Sequence, residues 1–148
     1  LGGLGSVTLV DGGHVTAADL GQHWLADSEA LGAPLAATCC RLLQELNESV
    51  QTGFVDEDPA ALISSNPSFF KDFTLVVSSQ LSDRDLEALD EILRARNIPL
   101  VALRANGLFG TVRVSVVEHL VEDSRPDNTL QDLRLHRPFP ALSDFSAH

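Results

Sequence analysis

The sequence predicts an α/β protein built on a doubly wound, mostly parallel sheet, and two features carry that reading. Short apolar runs of strand length alternate with amphipathic stretches of helical spacing as far as residue 105. That order gives parallel strands joined by crossover helices. One of the runs, "FTLVVSS" at residues 73–79, is apolar almost throughout, as a strand covered on both faces requires. The chain has 148 residues, enough for one domain with a sizeable core.

Each element follows from its own signals. "SVTLVDGGHV" (6–15) opens as an apolar strand near 6–11 and delivers Asp11 at its C-terminal end. An acid at such a strand end is where many α/β proteins hold the ribose of a nucleotide. A short helical patch follows around Asp19 to Leu25. Pro34 suits the first turn of a helix, and Leu35, Cys39, Leu42, Leu43 and Leu46 then recur at helical spacing. "QTGFVDE" gives a strand near 50–55, and "DPAALISSN" begins with an acid and Pro59, a helix-start signal. The next strand lies near 73–78. "LSDRDLEALDEILRARNI" is the clearest helix, with Ser82 to cap it and Leu86, Leu89, Ile92 and Leu93 as its buried stripe. Strands near 99–104 and 109–117 complete the sheet. Pro99 stands at the start of the first, where a missing N–H is tolerated, and the second is exposed on one face. From Arg125 the text turns polar and proline-rich and reads as an excursion from the sheet.

Composition narrows the function classes. A formal net charge of -11 argues against a sequence-independent grip on nucleic acid. No apolar run approaches the ~20 residues of a membrane-spanning helix, and no stretch reads as a signal peptide. The two cysteines, Cys39 and Cys40, are adjacent, a poor arrangement for a structural disulfide, which suits a reducing compartment. Leu1 in place of Met, with "LGGLGS" running straight into a strand, suggests a segment from inside a larger polypeptide.

The individual motifs read mostly as structure. The glycines of "LGGLG" precede a strand, whereas a phosphate loop joins a strand to a helix, so a turn is the better reading. Cys39 falls in the apolar stripe of its helix, and no further Cys or nearby His completes a metal set. His14, His23, His119, His136 and His148 are scattered without ligand spacing. Trp24 reads as a core or interface anchor. The residues alone give a nucleotide-type fold without catalytic machinery.

Several stretches extend this reading. "GLGSVTLVDGGHVTAADLGQHW", "LLQELNESV", "NPSFFKDFTLVVSSQL", "IPLVALRANGLFGTVRVSV" and "RPDNTLQDLRLHRPFP" together resemble the ubiquitin-like-protein activating enzymes. The resemblance covers nearly the whole chain, and it is nearest to the regulatory, non-catalytic subunits of the neddylation branch; the last stretch is the most specific. It implies an incomplete Rossmann-like domain of the adenylation (ThiF-like) type over 1–140, lacking its first strand, glycine loop and helix. Residues 141–148 would then begin an inserted segment.

Catalytic members of the family adenylate a modifier's C-terminal carboxylate with Mg-ATP, and their motifs can be placed here residue by residue. The paired acids D-x-D that close their second strand fall on Asp11 and Gly13. Their S-N-L-N-R-Q-F run falls on "ADLGQHW", which puts Gln22 at the Arg position and Asp19 and Gly21 at the Asn positions. The lysine of D-I-G-K falls on Ala33, behind Leu31 and Gly32, and the later D-N pair on Leu81 and Ser82. A pyrophosphate leaving group needs fixed cations and carboxylate-held Mg²⁺; Gln22 and Ala33 supply no cation, and Leu81 cannot hold a metal. The resemblance therefore implies a pseudoenzyme subunit with no catalytic residue, metal ligand or bound cofactor, Asp11 remaining as a vestige. ATP and Mg²⁺ would be bound by the catalytic subunit of the neddylation-activating enzyme, its heterodimeric partner, and the modifier would be met through that complex, in cytoplasm and nucleus. Trp24, Leu25 and the strand around Val112 to Val116 are the interface candidates. Two alternatives stay open: an active nucleotide-dependent adenylyltransferase or dehydrogenase using Asp11 for ribose, and the equivalent inactive subunit for the SUMO modifier.

Overall fold

A computed structural model describes residues 3–22, 28–121 and 140, with Gln22 described by its backbone alone. Its elements run β1 (Ser6–Val10), α1 (Ala17–Gln22), α2 (Leu35–Leu46), β2 (Gln51–Val55), α3 (Pro59–Ser65), β3 (Val76–Ser79), α4 (Asp83–Arg94), β4 (Leu100–Asn106) and β5 (Phe109–Ser115). Two 3₁₀ turns, Ser28–Ala30 and Pro67–Asp72, complete the set. The compact unit they form ends at Val117.

Local chemistry accounts for most boundaries. Asp58 caps α3 by accepting from the Ala61 N–H at 3.3 Å, with Pro59 behind it at the first helical position. Ser82 caps α4 as its spacing predicts. Pro34 sits one residue outside α2, at the cap position, instead of in the first turn. Gly107 at φ +62 opens the two-residue β4–β5 hairpin loop, while Leu108 keeps a negative φ, the pattern of a type II′ turn.

β1 pairs parallel with β2, and β3 pairs parallel with β4, to which β5 adds antiparallel. The described strands therefore form two hydrogen-bonded sheets, β1–β2 and β3–β4–β5. One core serves both. Leu62 and Ile63 of α3, Phe70 of the 3₁₀ turn, and Leu89 and Leu93 of α4 make a single buried cluster. Val10 and Val55 of the first sheet pack on it, and so does Val76 of the second. The mixed α/β architecture with parallel pairing is the predicted one, an incomplete Rossmann-like fold.

Two expectations need correction. The run at 73–79 is not covered on both faces. Only Val76–Ser79 is strand, and Leu75 and Val77 stay 46% and 56% exposed. Val76 turns to the helical layer, whereas no described element covers the side of Val77. The last strand ends at Ser115, before 117, and is exposed on both faces up to that residue, with Phe109 82% and Val112 71% exposed. Among the described residues it is an edge strand, and its one buried residue, Ser115, is held by the Arg94 guanidinium, which donates to its Oγ at 3.1 Å.

Candidate functional site

In a doubly wound sheet, ligands collect beyond the C-terminal ends of the strands. Here that region borders a cleft of about 370 Å³ between β1 and β3. Leu9, Val10 and Asp11 line it from one strand, and Val76, Val77 and Ser79 from the other. Its remaining wall is apolar apart from Thr8 and Ser78, and the lining contains one carboxylate and no Lys or Arg.

The predicted positions can now be placed. Asp11 follows β1, and its own N–H donates to Val55 O at 3.2 Å, extending the β1–β2 pairing by one step. Its Oδ1 accepts from the Gly13 N–H at 2.7 Å, closing a turn. A side chain at 13 would crowd that same oxygen, because a Cβ there would lie 2.9 Å from it. Gly12 is equally constrained: a Cβ would lie 2.8 Å from the Asp58 backbone N, so the β1 and β2 exit loops pack backbone to backbone. Beyond the turn the chain pairs with the segment ahead of α2. Leu35 N–H donates to Gly13 O, Val15 N–H to Ala33 O and Gly32 N–H to Val15 O, each at 2.9 Å. Ala33 contributes backbone to this closure, and its side chain is a methyl.

Asp19 takes its place at the start of α1, where it accepts from both the N–H and the Oγ1 of Thr16, at 2.8 and 2.6 Å. Gly21 lies on the same helix with open space around it. Leu81 lines the cleft and packs on the core cluster. Ser82 Oγ donates to Asp85 Oδ2 at 2.6 Å and accepts from the Asp85 N–H at 3.2 Å. Asp11, Leu81 and the β3 end thus meet at one cleft, and Asp11, Asp19 and Ser82 each hold a turn or a helix start. Trp24 and Leu25 lie outside the described residues, so only the Val112–Val116 strand of the interface reading can be placed, and it is the exposed edge.

Both cysteines are buried, Cys39 against the cleft and Cys40 with its Sγ donating to Gly53 O at 2.9 Å. Burial above all, then the neighbouring Cys40 and Asp11, pushes the Cys39 thiol up. Burial also raises Cys40, against a backbone hydrogen bond to Leu9 that lowers it. Neither thiol is primed as a nucleophile. Among the described residues, no group of three His, Cys, Asp or Glu side chains is placed to hold a metal ion.

Sequence reasoning missed a second cluster at the same strand ends. Gln80, at φ +59, extends the β3–β4 pairing with its side chain: Nε2 donates to Ala105 O at 2.8 Å and Oε1 accepts from Ala105 N–H at 3.3 Å. Arg104 pairs with Asp83 at 2.6 Å and donates to Leu81 O at 2.8 Å. The cation nearest this end of the sheet is thus already engaged. These partners stand more than 20 residues apart in sequence, and no local pattern announces them.

Comparison with known proteins places this arrangement. No family model matches the chain. It is 48% identical over 145 residues to the NEDD8-activating enzyme E1 regulatory subunit AXR1 of Arabidopsis thaliana, covering 98% of this chain and 27% of that protein. It is 46% identical over 144 residues to the NEDD8-activating enzyme E1 regulatory subunit of Xenopus laevis, covering 97% and 27%. The Drosophila melanogaster protein of that name is 42% identical over 144 residues, covering 97% and 28%. The chain spans about a quarter of the length of these curated relatives. Among solved structures, a crystal structure of selenomethionine PaaA superposes with a TM-score of 0.68 at 18% identity, over 77% of this chain and 37% of that one. That likeness concerns the fold alone.

Proposed function

Since the chain is homologous along nearly all its length to regulatory subunits of the NEDD8-activating enzyme, we propose that it forms part of the adenylation-type domain of such a subunit, and that this domain does no chemistry itself. The observation that carries the reading is the state of the strand ends. The positions where the catalytic relatives hold ATP and Mg²⁺ are taken here by Ala33, Leu81 and Ser82, and the surviving acid, Asp11, is spent on its own turn. A triphosphate approaching this rim would meet Asp11 without a free cation in the cleft lining, which opposes binding. ATP and Mg²⁺ accordingly belong to the catalytic subunit, and this chain contributes by binding that partner. The names of the relatives favour the neddylation branch over the SUMO alternative.

The test is reconstitution. The longer polypeptide that carries this sequence, purified with the catalytic subunit, should support ATP-dependent formation of the modifier thioester, and neither chain alone should reach that rate. Calorimetric titration of the regulatory chain by itself with Mg-ATP should give no saturable heat. A saturable signal abolished by Asp11→Ala would show a living nucleotide site and overturn the reading. Full activity from the catalytic subunit alone would overturn the partner role.

A further inference from the structure

Asparagines differ in how open they leave the main-chain nitrogen that follows them, and one of the five in this chain stands apart. Asn106 ends β4 and is followed by Gly107, the first residue of the two-residue hairpin loop. The last ladder pair is Asn106 with Phe109, so the Gly107 N–H lies in the loop, outside the pairing. Gly107 holds φ +62, and a Cβ built on it would meet nothing within 4 Å. Leu108 beside it is fully exposed. A nitrogen on a residue without a side chain, with open space around it, can reach the carboxamide of the residue before it.

The other described asparagines are each closed to that approach. Asn66 is followed by Pro67, which has no N–H to give up. The nitrogen after Asn97 belongs to Ile98, which is buried and β-branched and donates its N–H to Leu93 O at 3.0 Å. Asn47 precedes Glu48, and its own Oδ1 accepts from the Ser49 N–H at 3.1 Å. Asn128 lies outside the described residues. The hold on β4 also changes at this point. Gln80 grips Ala105 through both its N–H and its O, and Asn106 is the first residue past that grip. Closing a ring onto its own carboxamide needs Asn106 to leave the extended conformation, and a terminal pair at an exposed hairpin end opens far more readily than the whole domain.

We propose that Asn106 is a self-modification site, at which the Gly107 nitrogen displaces ammonia and water then leaves aspartate or isoaspartate. A solvent base removes the Gly107 amide proton, and the nitrogen forms a bond to Asn106 Cγ. The Cγ–Nδ2 bond breaks, and the departing nitrogen takes a proton from water to leave as ammonia. The intermediate is a five-membered succinimide. Water opens it at Cγ to give aspartate, or at the main-chain carbonyl to give isoaspartate, in which the chain runs on through Cγ. Nothing is oxidised or reduced. Either product adds a negative charge at the hairpin end of an already acidic chain. Isoaspartate also lengthens the backbone by one carbon ahead of Gly107, which a two-residue loop of II′ geometry does not accommodate, so the Asn106–Phe109 pair opens. The chemistry needs only water and this hairpin, whatever the chain does in neddylation.

The test is an ageing series. The longer polypeptide that carries this sequence is incubated at neutral and at mildly alkaline pH, digested at intervals and mapped by mass spectrometry. Isoaspartate is read separately, with a carboxyl methyltransferase and a labelled methyl donor. The peptide holding Asn106 should exchange its amide for a carboxyl about tenfold or more faster than those holding Asn47 or Asn97, a barrier lower by about 1.4 kcal/mol or more. Its rate should rise with pH, because the attacking nitrogen must shed its proton, and isoaspartate should map to the same peptide. Asn106→Gln, which would need a larger ring, should remove the signal while far-ultraviolet circular dichroism shows the fold intact. Conversion at Asn106 no faster than at Asn47 or Asn97 overturns the proposal. Conversion to aspartate without isoaspartate also overturns it, because direct hydrolysis of the side chain then replaces ring closure.

Discussion

Replacing Ser82 with alanine separates a structural from a chemical role at a position that the family resemblance aligns with metal and phosphate ligands. In this structure the hydroxyl is fully used. It donates to Asp85 Oδ2 at 2.6 Å and accepts from the Asp85 N–H at 3.2 Å, satisfying a donor at the start of α4. Removing such a cap costs about 1 kcal/mol. For a chain of this size, unfolding entropy converts that into a fall of about 3 °C in melting temperature. Ser82→Asp keeps an acceptor at the cap, and its charge suits the helix N-terminus, so its stability should stay near that of the parent chain. Urea unfolding followed by far-ultraviolet circular dichroism measures both variants, and a thioester assay on the reconstituted heterodimer measures the chemistry. The expected pattern for Ser82→Ala is a lower unfolding midpoint with an unchanged thioester rate. A folded, undiminished Ser82→Ala protein whose complex loses about tenfold or more in rate would place the hydroxyl on the reacting groups, since that loss corresponds to 1.4 kcal/mol of transition-state stabilisation.

Other perturbations follow from the same geometry. Gly12→Ala should lose about 1–3 kcal/mol, read from the urea midpoint, because the new Cβ would lie 2.8 Å from a backbone nitrogen that has no side-chain freedom to yield. Leu93→Ala should cost about 3–5 kcal/mol, since Leu93 is fully buried at the centre of the core, and a loss below that range would mean the layer collapses around the cavity. Stability should also fall in alkali. The buried thiols of Cys39 and Cys40 have raised pKa values, so their contribution is complete below the unfolded value near 9.0 and is lost as pH rises through the folded values. Melting temperatures of the parent and of Cys39→Ala, compared between pH 7 and 10, check this, and the parent should show the steeper decline.

Much of the fold was legible because its signals are local. Ser82 and the Leu86, Leu89, Leu93 spacing announce α4, and Asp58 with Pro59 announces α3. The Pro67–Asp72 turn was illegible as an element, since a single 3₁₀ turn has no period to detect, although its Phe70 is buried and its Phe69 ring meets Phe70 at 5.3 Å and Phe73 at 5.2 Å. The exposure of Val77 was illegible for a different reason. Residues 73–79 report the faces a strand is built to bury, whereas burial depends on which other elements are present. At the site, the chemical type at each aligned position could be read, but what each side chain does there could not. The Gln80–Ala105 pairing and the Arg104–Asp83 ion pair arise only once β3 and β4 lie side by side.

On the proposed reading, the strand ends belong to a nucleotide fold that has lost its ligand without losing its shape. In an active site of this kind, carboxylates and cations at the loop tips are held by the phosphates and metal as much as by the protein, and like charges there repel when the ligand leaves. Here three of the polar positions aligned with that site have partners within the chain. The Asp11 carboxylate accepts from Gly13, Asp19 from Thr16, and Ser82 closes on Asp85, while Leu81 has joined the apolar core. Arg104, a cation at this end of the sheet, pairs with Asp83 and donates to Leu81 O. Ala33→Lys alone should therefore bring no nucleotide affinity in a calorimetric titration with Mg-ATP, because Asp11, Asp19 and Ser82 are already committed within the chain. A surface held in one shape by its own hydrogen bonds loses less entropy when it meets a partner.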